Sequence, residues 1–271
     1  MSTSLTKLLG ILPTMQNIMV LEKPVIYIKL PCMIVGDLHG NIKALDYIIC
    51  RWRSFRCPQL LFLGDYVDRG NASVDVLTSL FKMKQKHIKN IILLRGNHES
   101  SEMNRRYGFY DEIGRNDEIL EEVNSVFEHM PIAAIVEGGV FCVHGGIPGA
   151  CDINTINKEN SFEFLWNDPW EYKGMGFSPR GIGIHCFGQD VLEDFLEMNH
   201  FRMMIRAHSQ LMSGYRWYFD KKLLSLFSTP EYIGADNRGA FALLRNSEMD
   251  IYVFGGKGGK YEHIEMHSFV I

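Results

Sequence analysis

The sequence has no cysteine pair at a two-residue spacing, no internal repeat, no low-complexity tract and no proline- or serine-rich linker. Six cysteines (Cys32, Cys50, Cys57, Cys142, Cys151 and Cys186) are scattered over 271 residues, a chain too long to need a disulfide framework. They are expected as reduced thiols, mostly filling the core, which points to a cytoplasmic protein. An excess of positive charge is also missing. Lys and Arg number 28 against 32 Asp and Glu, a net charge of -4, so nucleic acid is not an expected partner. No apolar stretch approaches the ~20 residues of a membrane span. Residues 1–24 lack a basic segment followed by a long apolar run. Neither a signal peptide nor a membrane partner is therefore expected. Nothing marks a domain boundary, and 1–271 is expected to be a single domain.

What is present is an ordinary globular composition, 46% hydrophobic and 22% charged, in a chain long enough to bury a sizeable core. Apolar runs at 31–35, 60–63 and 91–94 read as buried strands. Between them, Ile42, Leu45, Ile48, Ile49 and Trp52 form a helical stripe, and 74–81 reads as a second helix. Ile119, Leu120, Val123, Val126 and Phe127 mark another helix. From 132 onward strands dominate, at 132–136, 140–143, 203–205, 223–227, 240–244 and 251–254, interrupted by one helix near 191–198. This order predicts an α/β fold of sheets packed together with helices outside.

Each early strand runs directly into a polar cluster. Gly36-Asp37-Leu38-His39-Gly40 follows the first, Gly64-Asp65-Tyr66-Val67-Asp68-Arg69-Gly70 the second and Gly96-Asn97-His98-Glu99 the third. His144-Gly145-Gly146 and Arg206-Ala207-His208 follow later strands. Functional groups in such folds lie beyond the carboxyl ends of strands. Carboxylates, imidazoles and an amide oxygen form a mixed N/O donor set suited to Mn, Fe or Zn. Singly each cluster is weak; together, in this order, they are not a coincidence of turns.

With these clusters the sequence closely resembles the serine/threonine phosphoprotein phosphatases, the family of protein phosphatase 1, protein phosphatase 2A and calcineurin. The resemblance extends through Leu94-Arg95-Gly96-Asn97-His98-Glu99, Arg106-Tyr107-Gly108-Phe109-Tyr110-Asp111-Glu112, Leu165-Trp166-Asn167-Asp168-Pro169, Ser178-Pro179-Arg180-Gly181 and Phe227-Ser228-Thr229-Pro230-Glu231-Tyr232. It implies a metallophosphoesterase fold, a central β-sandwich of two mixed sheets flanked by helices. It implies two divalent metal ions, one held by Asp37, His39 and Asp65, the other by Asp65, Asn97, His144 and His208. It further implies hydrolysis of phosphoserine and phosphothreonine by direct attack of a hydroxide shared by the metals. His98 matches the general acid and Asp68 the carboxylate that orients it and keeps it protonated. Arg69 and Arg180 match phosphate clamps, and Asn97 and Tyr232 further substrate contacts. Asp168 matches an acidic residue near the cleft with a supporting role. Phosphoprotein substrates are the implied partners. A dinucleotide polyphosphate hydrolase shares the metal motifs and is the alternative.

Some stretches depart from the family or mislead. Ser209 stands where the family has Gln or Glu, Glu231 where it has Asn, and Ile233 where it has Cys. Glu231 is expected to place a negative charge beside Tyr232. Cys50 to Arg56 fits a bare Cys-x5-Arg pattern at the end of a helix, without phosphate-cradling glycines, and is read as coincidence. Gly255-Gly256-Lys257-Gly258-Gly259-Lys260 is not a P-loop and reads as a mobile turn. Asp168, Trp170, Glu171 and Tyr172, near Trp166, are candidates to line a substrate groove.

Overall fold

The computed structural model describes residues 3–246 and 248–271. Helix α1 (Thr3–Leu21) leads to β1 (Val25–Ile28) and β2 (Cys32–Val35). Next come α2 (Ile42–Phe55), β3 (Gln59–Phe62), α3 (Ser73–Lys86) and β4 (Ile91–Leu93). Short α4 (Ser101–Tyr107) and α5 (Phe109–Glu112) precede α6 (Asp117–Glu128), β5 (Ala133–Val136), β6 (Val140–Val143) and α7 (Phe162–Trp166). A small unit follows, β7 (Asp168–Pro169), β8 (Met175–Phe177) and β9 (His185–Phe187), then α8 (Gln189–Met198) and β10 (Met203–Arg206). The remaining strands are β11 (Tyr215–Tyr218), β12 (Leu223–Leu226), β13 (Gly239–Arg245), β14 (Glu248–Lys257) and β15 (Lys260–Val270).

Two six-stranded sheets form the centre, in the orders β1-β5-β6-β10-β12-β11 and β15-β14-β13-β2-β3-β4. Both are mixed: β2, β3 and β4 run parallel while β13 and β14 join antiparallel, and β6, β10 and β12 run parallel beside antiparallel β5 and β11. The period-two geometry of a strand divides its side chains between layers. Cys32 and Ile34 of β2 enter the core between the sheets, where they join Cys142, Ile205 and Leu224 of the facing sheet. Met33 and Val35 point the other way, into a core shared with α1, α2, α3 and α6. Phe164 of α7 and Leu192, Phe195 and Leu196 of α8 cover the outer face of the first sheet. The fold class implied by the resemblance is the one observed.

Two elements were not anticipated. Leu5, Leu8, Ile11, Leu12, Met15 and Met19 make α1 amphipathic and bury it against the core. Just beyond it, Glu22 pairs with the fully buried Lys84, whose ammonium also donates to the carbonyls of Ile88 and Ile91, both at 2.9 Å. Unpaired, such a charge would be costly to bury. The glycine-rich 255–260 stretch, expected as a mobile turn, is the tip of the β14–β15 hairpin. Gly258 and Gly259 take φ of 63° and 74°, the left-handed pair that a two-residue hairpin turn requires. Cys32, Cys57, Cys142 and Cys186 are buried, whereas Cys50 is exposed on α2 and Cys151 half-buried. Among the described residues, no helix is long and apolar enough to cross a membrane.

Candidate metal centre and catalytic site

Parallel strands carry their following loops to one end of the sandwich. Asp37 lies beyond β2, Asp65 beyond β3, Asn97 beyond β4, His144 beyond β6 and His208 beyond β10. Three loops come from one sheet and two from the other, so the cluster straddles the sandwich. Asp37, His39, Asp65, Asn97, His144 and His208 are all buried, none more than 6% exposed. One group of ligand atoms comes from Asp65, His144 and His208 and another from His39, Asp65 and His98, each within 4.8 Å. Asp37 Oδ2 stands 3.8 Å from His39 Nε2. Asp65 belongs to both groups, as a bridging carboxylate must.

The hydrogen bonding fits cations. His144 Nδ1 is 3.0 Å from the Leu63 carbonyl and His39 Nδ1 is 3.1 Å from that of Val67, so each ring nitrogen donates there. Each Nε2 is then a lone pair. That of His144 faces Asn97 Oδ1 at 2.9 Å, Asp65 Oδ1 at 3.3 Å and His208 Nδ1 at 3.2 Å. The Asn97 and Asp65 oxygens are acceptors facing a lone pair, an arrangement that repels unless a cation lies among them. Burial pushes the Asp37 carboxyl up to about 7 and raises Asp65 well above its ordinary range. It also holds His39, His144 and His208 well below the ordinary imidazole value, in the neutral form that metals bind.

The backbone under these groups is strained. His39, Asp65, Asp68, Arg69 and His208 adopt left-handed φ between 44° and 69°. Such conformations persist where surrounding bonds over-determine them. Glu99, fully buried, supplies three: it accepts from the amides of Asp65 (2.7 Å), Tyr66 (2.9 Å) and Gly96 (2.9 Å). The two loops approach so closely that a Cβ on Gly96 would lie 2.3 Å from Asp65 Oδ1.

Beside the cluster, His98 Nδ1 meets Asp68 Oδ2 at 2.8 Å, leaving Nε2 for the cavity. Asp68 also accepts from Asn104 Nδ2 at 3.1 Å and from the Phe109 amide at 3.0 Å. Asn104 donates as well to the His98 carbonyl at 2.7 Å, and Asn124 donates to Asn104 Oδ1 at 3.1 Å. Neither asparagine was singled out in the sequence. The expectation that Asp68 keeps His98 protonated needs correction in its balance. Burial lowers the imidazole below its ordinary value, and the bond and charge of Asp68 only partly restore it.

At the rim, the exposed Arg69 guanidinium stacks 3.6 Å from the Tyr107 ring centroid. Arg180 reaches from the 178–184 loop and pairs with Asp168, which also binds the buried Arg206 at 2.9 Å. Ser209 joins this knot, accepting from Arg206 at 2.6 Å and donating to Asp168 at 3.1 Å. The departure at 209 therefore keeps a polar link there. Asp168 thus holds two arginines, Arg180 and Arg206. Tyr232 leans over His39 with ring centroids 5.0 Å apart. The Glu231 carboxylate is not free beside it. It accepts from the amides of Gly258 (3.0 Å) and Gly259 (3.2 Å) at the hairpin tip.

A cavity of about 690 Å³ opens over these groups, lined among others by Asp37, His98, Arg69, Arg180, Trp166 and Tyr232. None of the four residues expected to line a groove, Asp168, Trp170, Glu171 and Tyr172, lines it. Cys50 to Arg56 lies in the last turns of α2 and just past its end, and plays no part in it.

The profile of the calcineurin-like phosphoesterase family matches residues 30–212. The structure is similar to that of a protein serine/threonine phosphatase from Saccharomyces cerevisiae, itself described as similar to human phosphatase PP5. The TM-score is 0.80 and the identity 27%, over 98% of this chain and 90% of that one. It also shares its fold with a cold-active protein-tyrosine phosphatase of a psychrophilic Shewanella species, at a TM-score of 0.65 and 18% identity, over 92% of this chain and 84% of that one.

Proposed function

The chain belongs to the calcineurin-like phosphoesterase family, and from that premise we propose that it is a protein serine/threonine phosphatase acting on phosphoserine and phosphothreonine. The observation that carries the reading is the His98–Asp68 pair at 2.8 Å beside the buried cluster of Asp37, His39, Asp65, Asn97, His144 and His208. A seryl or threonyl alkoxide is a poor leaving group and needs a proton, and a carboxylate-backed imidazole is suited to supply it. The 27% identity to a serine/threonine phosphatase along nearly the whole chain supports the same substrate class.

In this reading Asp37, His39 and Asp65 hold one divalent cation and Asp65, Asn97, His144 and His208 the other, with Mn, Fe or Zn suited to the donors. Two such cations, when bound, acidify water and offset charge on phosphoryl oxygens. The remaining work belongs to side chains of this chain. Arg69 and Arg180 present guanidinium forks to the phosphate, held in place by Tyr107 and Asp168. Asn97 and Tyr232 border the bound group. His98 delivers its proton from Nε2, and Asp68, fixed by Asn104 and the Phe109 amide, keeps the ring aimed. Phosphoproteins are the partners, the cytoplasm the compartment, and 1–271 acts as one catalytic unit. The test compares a phosphoserine peptide with diadenosine tetraphosphate, with and without manganese. Manganese-dependent release of phosphate from the peptide is expected. Turnover of the dinucleotide alone would overturn the assignment.

A further inference from the structure

A second cavity, of about 240 Å³, lies behind Tyr232, between the start of α2, the 229–233 loop and the β14–β15 tip. It shares His39, Arg69 and Tyr232 with the catalytic cavity, so a chain bound across Arg69 passes from one to the other. Its other walls include Lys43, Asn41, Asn71 and Tyr261.

The charges around it are unequal. Lys43 and Arg69 both line it, and among the described residues neither has a carboxylate partner. Lys43 Nζ donates only to the Gly258 carbonyl, at 3.0 Å, and Arg69 rests on Tyr107. The one carboxylate in the wall, Glu231, is occupied by two backbone amides. Lys43 is built into the wall: a Cβ on Gly259 would fall 2.0 Å from its Cδ and 2.8 Å from its Nζ. Two cations against one amide-held carboxylate leave this concave surface with an excess of positive charge, which favours an anion.

Resting on the phosphatase reading, we propose that this cavity is a specificity subsite for an anionic group of the substrate next to the phosphoresidue. The group is a carboxylate side chain or a second phosphoryl, paired with Lys43 and with the outer edge of Arg69. Because Arg69 borders both cavities, the anion belongs to a residue flanking the phosphoresidue.

The test measures kcat/KM on peptides alike except at the positions flanking phosphoserine. Those positions hold Glu, Gln, Lys or a second phosphoserine, and each value is normalised to turnover of an aryl phosphate. Glu is expected to exceed Gln on one side by about threefold to fivefold, as for a partly exposed ion pair. Lys43→Gln should erase that preference and Lys43→Glu should turn it toward Lys. A preference for the second phosphoserine that vanishes in Lys43→Gln, with Glu and Gln equal, would assign the site to phosphate alone. Equal turnover of all peptides, or a Glu preference that survives Lys43→Glu, would overturn the subsite. Turnover of the aryl phosphate with no phosphopeptide hydrolysed would instead overturn the phosphatase reading beneath it.

Discussion

At the floor of the site, Asp37, Asp65, His144 and His208 are at most 6% exposed and leave the ends of strands, whereas at the rim Arg69 and Arg180 stand in solvent on loops. The floor is held by backbone carbonyls, by Glu99 and by strained φ angles that the surrounding bonds enforce. The rim is held by one stacking contact and one ion-pair knot. The contrast separates two tasks. Floor groups must keep their mutual distances for any chemistry to occur, and they are set just beyond the ends of buried strands. Rim groups meet a substrate that varies, and they lie on loops outside the two sheets.

The contrast can be broken at its strongest point. Chelation of metals should abolish phosphate release, manganese should restore it, and Asp65→Asn should prevent that recovery. Activity that survives complete chelation would show that the floor serves another purpose. Next in size is His98→Asn, expected to slow phosphopeptide turnover by about 100- to 10,000-fold while metal content stays the same. The loss should be much smaller for an aryl phosphate, whose phenolate departs without a proton; equal losses would remove His98 from acid catalysis. Asn104→Ala tests whether support of the His98–Asp68 pair belongs to the floor. It should lower kcat by about 10- to 100-fold, as loss of an outer hydrogen bond to a site group does, and shift the acid's limb of the pH profile. A change confined to KM would place Asn104 with the rim. The smallest effect is expected for Arg180→Lys, which keeps the charge but loses the fork. KM should rise about tenfold, the scale of one charge-assisted hydrogen bond, with kcat little changed. A collapse of kcat would move Arg180 to the floor.

The same division governs what the sequence reveals. Floor residues were legible because each follows directly on an apolar run, so a pattern of buried strands ending in Asp, His or Asn points at one end of a sheet. The α/β layering was legible for the same reason. Asn104 was not, because its partners Asp68 and His98 are brought to it only by the turn into α4, and an isolated asparagine carries no pattern. Arg206 appears in sequence as the last residue of an apolar run. Only the structure shows it fully buried and bound to Asp168, Gly145 and Ser209. β15 escaped because its apolar residues Tyr261, Ile264, Met266 and Phe269 are spread among charged and histidine residues on an exposed edge. The direction of the Glu231 carboxylate was likewise invisible, since it depends on the hairpin that this strand forms.

Asp65 follows a strand of one sheet and His144 a strand of the other, and the two side chains are 3.3 Å apart. A cation bound between them is therefore a stitch across the two halves of the sandwich, and the unfolded chain offers no equivalent of it. Occupancy and folding are linked: free cation at a hundred times its dissociation constant adds about 2.7 kcal/mol to the stability of the folded state. The loops that carry the chemistry, strained as they are, would then draw part of their rigidity from the ions they hold, and the protein without them would be looser at its working end than at its base.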